Sequence, residues 1–289
     1  MAFRNVIISN RCKLSYSLNY LVCRKENEEI KICIDEIKLL IIESNEVAIT
    51  SALISMLIEK KVKIIFCDSL HNPSGEVTPY FNNYYSYRKI KEQLEFIKNP
   101  GELWKKIVQK KILNQSRNLL LKGKRDEASL LINYYNNVEV EDSTNREGHS
   151  AKVYFNALFG KDFSRDKDCL INHFLNYGYS ILLSLINREI KSLGFLTEIG
   201  IHHIGESNSF NFSCDLIEPL RPLVDSMVIG DDINSDNYKR LFINMLSMEV
   251  KYNEQEMFLD NAIHLYVINM INYLKNRDEE SIRFVEYEL

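Results

Sequence analysis

The sequence has no CxxC pair among its six cysteines, no uncharged run long enough to span a bilayer, and no glycine-rich P-loop. The scattered cysteines exclude the common zinc-ribbon spacings and give no disulfide framework. The first residues carry no apolar segment followed by a small-residue cleavage site, as a secretory signal peptide would. We therefore expect a soluble protein of the reducing cytoplasm, without a P-loop nucleotide site.

An excess of basic residues is also missing. The formal net charge is -4 and the pI is about 5.9, so the composition of the whole chain does not indicate a nucleic-acid partner. Any nucleic-acid surface must come from a local cluster of bases.

The length of 289 residues predicts two domains, and the hydrophobic pattern changes near residue 73 from strand-like to helical periodicity. Residues 1–72 contain short alternating runs such as "KLSYSLNYLVCR" and one helical pattern, so we predict a small β-rich domain with one helix. Residues 73–83, with Pro73, Gly75 and Pro79, are predicted as a linker. Residues 84–289 are predicted to form a larger all-α domain, which makes the fold class α+β. The 3.6-residue periodicity predicts helices over 84–97, 101–122, 125–136, 144–159, 168–193, 237–250 and 255–275.

The segment "NREGHSAKVYFNALFG" places Glu147 in the first turn of a predicted helix. An acid there is favoured by the helix dipole whatever its function, so a purely structural role stays open. The small neighbours Gly148, Ser150 and Ala151 would let a ligand approach the carboxylate.

The segment "GIHHIGESNSFNFSCDLIEPLRPLVD" holds a second group of chemically active side chains. Adjacent histidines His202 and His203 point in different directions, so one at most is expected to face a given site. Asp215 and Glu218 share a face if their segment is helical, and two like charges there need a cation between them. Arg221 and a metal ion are the two candidates, and an ordinary structural loop followed by a helix is the alternative.

If one histidine and two carboxylates converge, their nitrogen and oxygen donors suit Mn²⁺ or Mg²⁺. Such an ion polarises a phosphoryl oxygen and activates a hydroxyl, so phosphodiester chemistry is the natural interpretation.

A basic stretch between Glu102 and Asp126 contains 23 residues without an acid. On a helix, its Lys and Arg side chains would form a surface that binds DNA phosphates without recognising the nucleobases. A solvated helix face whose charge is balanced by acidic neighbours is equally compatible. The predicted DNA-binding residues are Lys105, Lys106, Lys110, Lys111, Arg117, Lys122, Lys124 and Arg125. Upstream, "NNYYSYRKIK" adds Tyr84 and Arg88, where tyrosines could stack on bases or form a domain or dimer interface.

Taken in order, "KLSY", "IIFCD", "KKILNQ", "NREGHSAKVYFNALFG" and "GIHHIGESNSFNFSCDLIEPLRPLVD" resemble one family over essentially the whole chain. It is the CRISPR-associated spacer-acquisition integrase and endonuclease family (Cas1), in the form that accompanies type II systems. The last two motifs are specific in combination.

The resemblance implies an N-terminal β-sandwich that mediates dimerisation and a catalytic helical domain. It also implies an Mg²⁺ or Mn²⁺ site held by Glu147, His203 and Glu218, although many members have Asp at the third position. Asp215, Arg221 and His202 would be auxiliary residues, with Asp215 orienting the site and Arg221 pairing with Asp215 or a phosphate.

The activity implied is the joining of prespacer 3′-OH ends to the CRISPR repeat by transesterification, and the resolution of branched DNA. Two homodimers bridged by a dimer of the small protein Cas2 would form a heterohexamer on double-stranded DNA. The type II accessory ring protein (Csn2) and effector nuclease (Cas9) would take part. The alternatives are a non-catalytic nucleic-acid-binding scaffold and a hydrolase of small phosphoesters.

Overall fold

A computed structural model describes residues 4–25, 28–69, 73–77, 86–230 and 233–288. The chain divides into two compact units, Met1–Phe81 and Asn82–Leu289. The first is rich in strands and the second is mostly helical, so the predicted α+β class is confirmed.

The first unit contains two four-stranded sheets, with strand orders β1-β5-β7-β8 and β4-β3-β2-β6. In the described part of this unit, the strands and the α-helix are β1 (Arg4–Ile8), β2 (Cys12–Ser17), β3 (Tyr20–Arg24), β4 (Glu29–Cys33), β5 (Ile37–Ile42), β6 (Val47–Ile49), α1 (Ser51–Glu59), β7 (Lys63–Cys67) and β8 (Pro73–Glu76). Strand β8 lies within the segment that the sequence predicted as a linker.

Local chemistry explains these elements. Leu18 and Asn19 adopt positive φ between β2 and β3, which suits a two-residue hairpin turn. The Thr50 side chain caps α1 by accepting from the Leu53 backbone N–H. Leu14 and Leu40, from different sheets, belong to one hydrophobic cluster with α1, so the two sheets share a core.

The second unit is built around the long helices α3 and α6. Its helices are α2 (Ser86–Phe96), α3 (Leu103–Leu121), α4 (Arg125–Asn136), α5 (Arg146–Phe159), α6 (Leu170–Ser192), α7 (Asn211–Ile217), α8 (Arg221–Ile229), α9 (Tyr238–Met245) and α10 (Leu259–Asn276). A 3-10 turn, Glu218–Leu220, joins α7 to α8. No helix in the part of the chain that the structure describes is both long and apolar enough to cross a membrane.

One segment of this unit differs from the all-α expectation. A hairpin of β9 (Glu249–Tyr252) and β10 (Gln255–Phe258) replaces the ends of the two helices predicted around it. Asn253 and Glu254 both have positive φ at its turn, which falls in the gap between the two predicted helices, and the residues on either side pair as strands.

Candidate functional site

Helix α3 carries a stripe of buried polar residues that organises the site. Lys111, Asn114, Gln115 and Asn118 recur at helical spacing, and each is at most 6% exposed. The Asn114 amide donates to the Pro219 carbonyl at 3.0 Å, and that of Asn118 donates to the Pro222 carbonyl at 2.8 Å. These bonds hold the α7–α8 junction against α3.

Glu218 lies at that junction and is 4% exposed. Its Oε2 accepts from the Lys111 amino group at 2.5 Å, and its Oε1 accepts from Arg221 Nε at 2.8 Å. Burial opposes ionisation, but Arg221 and Lys111 outweigh it and lower the pKa of Glu218 to about 2. Glu218 is therefore a carboxylate at neutral pH.

Glu147 is presented by the first turn of α5. Asp142 accepts from the backbone N–H groups of Arg146, at 2.8 Å, and Glu147, at 2.9 Å, so it caps the helix. The Glu147 carboxylate contacts the amino group of Lys111. Lys111 therefore bridges the two predicted metal-binding glutamates.

Asp215 folds the loop that carries the histidines. Its buried carboxylate accepts from the backbone N–H groups of Ile201, His202 and His203 at 2.6, 3.3 and 3.0 Å. It also contacts His203 Nδ1 at 2.7 Å, and this hydrogen bond raises the pKa of His203. A Cβ on Gly200 would lie 2.6 Å from the same carboxylate, so the close approach requires glycine.

The two histidines make different contacts, as expected. The His202 ring stacks on Trp104, with centroids 4.0 Å apart and planes 8° apart, whereas His203 meets Trp104 edge-on. Asp215 holds Nδ1 of His203, so the other ring nitrogen, Nε2, is the one that can serve as a ligand.

Of the two partners predicted for Arg221, Asp215 or a phosphate, Asp215 is not the carboxylate that it contacts. Arg221 pairs with Glu218, and its guanidinium lies over the Tyr179 ring, 4.6 Å from the centroid. Asp215 is committed to the histidine loop instead, so the two acids of the "DLIE" motif do not share one cation.

The basic stretch does not form the continuous exposed surface that its charge pattern predicted. Lys110 and Lys111 are buried, and Lys110 pairs with Glu286. Lys105 pairs with Glu102 at 3.3 Å, and Arg117 with Glu286 at 3.4 Å. A helix at the centre of its unit is surrounded by other elements, so its bases find carboxylates within the fold.

The members of the stretch that remain exposed are Lys106, Lys122, Lys124 and Arg125. Arg88 in α2 is also exposed, and Tyr84 lies outside the described residues. DNA binding by these residues stays a prediction.

The donor set can be tested against a divalent ion. Across the described residues, no three His, Cys, Asp or Glu side chains are close enough to hold a metal ion as they stand. The donors nevertheless fit Mg²⁺ or Mn²⁺ by type, because two carboxylates converge on one cation, Lys111, and the loop before α7 supplies an imidazole whose Nδ1 is held by a third carboxylate.

Sequence reasoning missed the roles of Lys111 and Asp142. Lys111 was assigned to a surface stripe, although its spacing from Asn114, Gln115 and Asn118 is that of residues on one helix face, and the structure buries that face. Asp142 precedes the helix by several residues and carried no distinguishing pattern.

Comparisons with known proteins support the family resemblance seen in the sequence. The family "CRISPR associated protein Cas1" matches residues 6–240. The CRISPR-associated endonuclease Cas1 of Neisseria meningitidis serogroup C (strain 8013) is 36% identical over 231 residues, which are 79% of this chain and 76% of that protein.

Two solved structures share the fold at low sequence identity. A casposase bound to integration product has a TM-score of 0.79 at 20% identity, covering 100% of this chain and 95% of that one. A chain of a Cas6-RT-Cas1–Cas2 complex has a TM-score of 0.78 at 19% identity, and the match covers 99% of this chain and 36% of the other.

Proposed function

The chain belongs to the Cas1 family of CRISPR-associated proteins, and from that premise we propose that it is a metal-dependent DNA integrase and endonuclease of CRISPR adaptation. The observation that carries the proposal is the convergence of Glu147 and Glu218 on one cation, together with the imidazole of His203 that Asp215 orients. The Neisseria relative bears the name endonuclease, and the casposase neighbour is bound to an integration product.

Glu147, Glu218 and Nε2 of His203 would hold Mg²⁺ or Mn²⁺. When bound, the ion would supply charge stabilisation at a phosphate and would activate an attacking hydroxyl. Asp215 keeps His203 in one tautomer and fixes the loop backbone. Arg221 keeps Glu218 ionised and oriented, so the side chains are in place before DNA arrives.

The reaction proposed is transesterification at phosphorus. A prespacer 3′-hydroxyl attacks a phosphodiester at the edge of the CRISPR repeat, a new P–O bond forms, and the bond to the 3′-oxygen of the repeat strand breaks. The proton of the attacking hydroxyl leaves as the leaving oxygen gains one. One bond replaces another of the same kind, so the step needs no ATP. The reverse step would resolve branched DNA.

The proposed assembly is a heterohexamer of two homodimers and one dimer of Cas2 on double-stranded DNA. The neighbour in a Cas6-RT-Cas1–Cas2 complex supports a Cas2 partner. Membership of a type II system, with Csn2 and Cas9 as further partners, and a cytoplasmic location are parts of the same proposal.

The test is strand transfer from a short duplex with free 3′ ends to a plasmid carrying a repeat, with Cas2 and Mn²⁺ present. Glu147→Gln, His203→Ala and Glu218→Gln should each abolish joining, whereas His202→Ala, which removes the stack on Trp104 and an edge contact with His203, should reduce it less. Activity that survives all three changes would refute the proposal.

The scaffold alternative is separated by metal-induced thermal stabilisation. Mn²⁺ should raise the Tm of the wild-type protein and leave that of the Glu147→Gln/Glu218→Gln double variant unchanged. A scaffold that binds DNA without a metal site would show the same Tm with and without Mn²⁺ in both proteins.

A further inference from the structure

Lys111 occupies the point at which the two predicted metal-binding glutamates meet. The residue is 6% exposed and projects from the polar stripe of α3. Its amino group contacts one oxygen of Glu147, from α5, and one oxygen of Glu218, from the turn before α8. Three separate elements therefore meet at a single buried cation.

Electrostatics explains why a cation is needed there. Glu147 and Glu218 both reach the same amino group, and two carboxylates so close together repel each other when no positive charge separates them. A buried lysine would be strongly destabilised without partners, and here it has two. Each of the three groups is stabilised by the others.

A divalent ion would compete for the same oxygens. An ion that binds through Glu147 Oε1 and Glu218 Oε2 would take lone pairs that now accept hydrogen bonds from Lys111. Arg221 does not have to move, because it contacts the other oxygen of Glu218, at 2.8 Å. Lys111 is thus the group whose position conflicts with the ion.

We propose that Lys111 holds Glu147 and Glu218 together in the metal-free protein at the place where a divalent ion binds, and that the ion displaces its amino group. The inference rests on the proposed function and deepens it by assigning Lys111 as a positioning residue.

The first experiment measures Mn²⁺ affinity by the EPR signal of free Mn²⁺. Lys111→Met removes the competing cation at similar side-chain length, and we expect it to bind Mn²⁺ about tenfold more tightly than wild type or better. Lys152→Met removes an exposed charge from α5, the helix of Glu147, and should leave the affinity within about twofold of wild type. Unchanged or weaker Mn²⁺ binding by Lys111→Met would overturn the inference.

The second experiment uses the wild-type protein and so does not depend on a variant that folds. Lysine amines are acylated with a small water-soluble reagent and quantified by mass spectrometry, with and without Mn²⁺. Acylation of Lys111 should rise several-fold with Mn²⁺, because the amine leaves its two carboxylates, whereas that of Lys152 should stay constant. No rise at Lys111 in protein that has bound Mn²⁺ would show that the lysine stays in place.

These outcomes separate this inference from the proposed function. If wild type binds no Mn²⁺, both fail. If wild type binds Mn²⁺ and Glu147→Gln/Glu218→Gln does not, but neither Lys111 result appears, only the displacement of Lys111 is refuted.

Discussion

Asp225 in α8 is a buried carboxyl group that accepts a hydrogen bond from the Tyr179 hydroxyl, next to the Arg221 that supports Glu218. Burial raises its pKa from 3.8 to about 6. Between these two values the native state binds a proton that the unfolded chain releases. The free energy of unfolding therefore falls as pH rises through this window, and the contribution is constant above it.

Asp225→Asn should remove this pH dependence. Relative to the variant, wild type should lose about 2 to 3 kcal/mol of unfolding free energy between pH 4 and pH 7. Glu218 acts at lower pH and with opposite sign, since its pKa of about 2 adds stability that is lost as pH falls below its ordinary value of 4.5. Urea denaturation at several pH values, without metal, would measure the difference.

The exposed Asp236→Asn is the matched control for this measurement. Its unfolding free energy should follow that of wild type across the pH range. Parallel curves for wild type and Asp225→Asn would contradict the prediction.

The sequence predicted the placement of a side chain correctly where neighbours in the chain determine it, and incorrectly where residues distant in sequence determine it. The separate orientations of His202 and His203 follow from adjacency on one backbone, and the structure has them. Lys111 was interpreted as a solvated base because a run of lysines usually lies on a surface. Its actual partners, Glu147 and Glu218, are distant in sequence, so local pattern could not reveal them.

At the scale of elements, Asp142, in the segment before α5, fixes the helix turn that carries Glu147. Its carboxylate accepts hydrogen bonds from two backbone N–H groups of this first turn, a role that Ala cannot fill. Asp142→Ala should lower the free energy of unfolding by about 1 kcal/mol and should reduce strand transfer more than that loss explains, because Glu147 loses its fixed position.

Asp142→Asn keeps one side-chain oxygen as an acceptor, so its unfolding free energy and strand-transfer activity should lie between those of wild type and Asp142→Ala. Urea denaturation and the strand-transfer assay at saturating Mn²⁺ would check both effects. Full activity in Asp142→Ala would show that the cap does not position Glu147.

The loop before α7 depends on close packing at Gly200. An added Cβ would lie 2.6 Å from an Asp215 carboxylate oxygen and 2.6 Å from the His203 carbonyl oxygen, which is backbone and cannot easily shift. Gly200→Ala should therefore displace the loop, weaken Mn²⁺ binding at least about tenfold and lower the Tm.

Gly205→Ala is the matched control within the same loop. Its Cβ would lie 3.3 Å from the Asn208 Cβ, which a small shift relieves, and 3.6 Å from Asn211 Oδ1, an ordinary contact. Equal Mn²⁺ affinity in both variants would mean that the approach of Gly200 to Asp215 is not required.

Elements whose stability is local were predictable, and those fixed by distant contacts were not. The bounds of α4, 125–136, match the periodicity because a complete amphipathic stripe lies within the segment. Residues 249–250 and 255–258 of the hairpin were predicted as helix ends, since those residues alone fit that pattern. Lys251 of this hairpin forms a backbone β-bridge with Glu286, near the end of the chain. A short stretch of sequence around Lys251 does not include that partner.

At the scale of the whole molecule, the α+β class follows from the change in periodicity along the sequence, whereas the charge distribution does not follow from the sequence. Bases of α3 that appear as one run are divided by folding into buried ion pairs and a small exposed cluster. That cluster, Lys122, Lys124 and Arg125, spans the end of α3 and the start of α4. Only such exposed bases are free to contact a phosphate backbone.

This division predicts how DNA binding responds to salt. Replacing Lys122, Lys124 and Arg125 by Gln should weaken binding to duplex DNA of any sequence. It should also reduce the slope of log K against log salt by up to about 2 to 3, since each phosphate contact contributes about 0.9. Fluorescence anisotropy with a labelled duplex over a series of salt concentrations measures the slope.

Replacing Lys31, Lys60 and Lys61 of the first unit by Gln removes the same charge and should change the slope by less than about 1. If the two triple variants show equal slopes, net charge rather than this cluster governs the affinity.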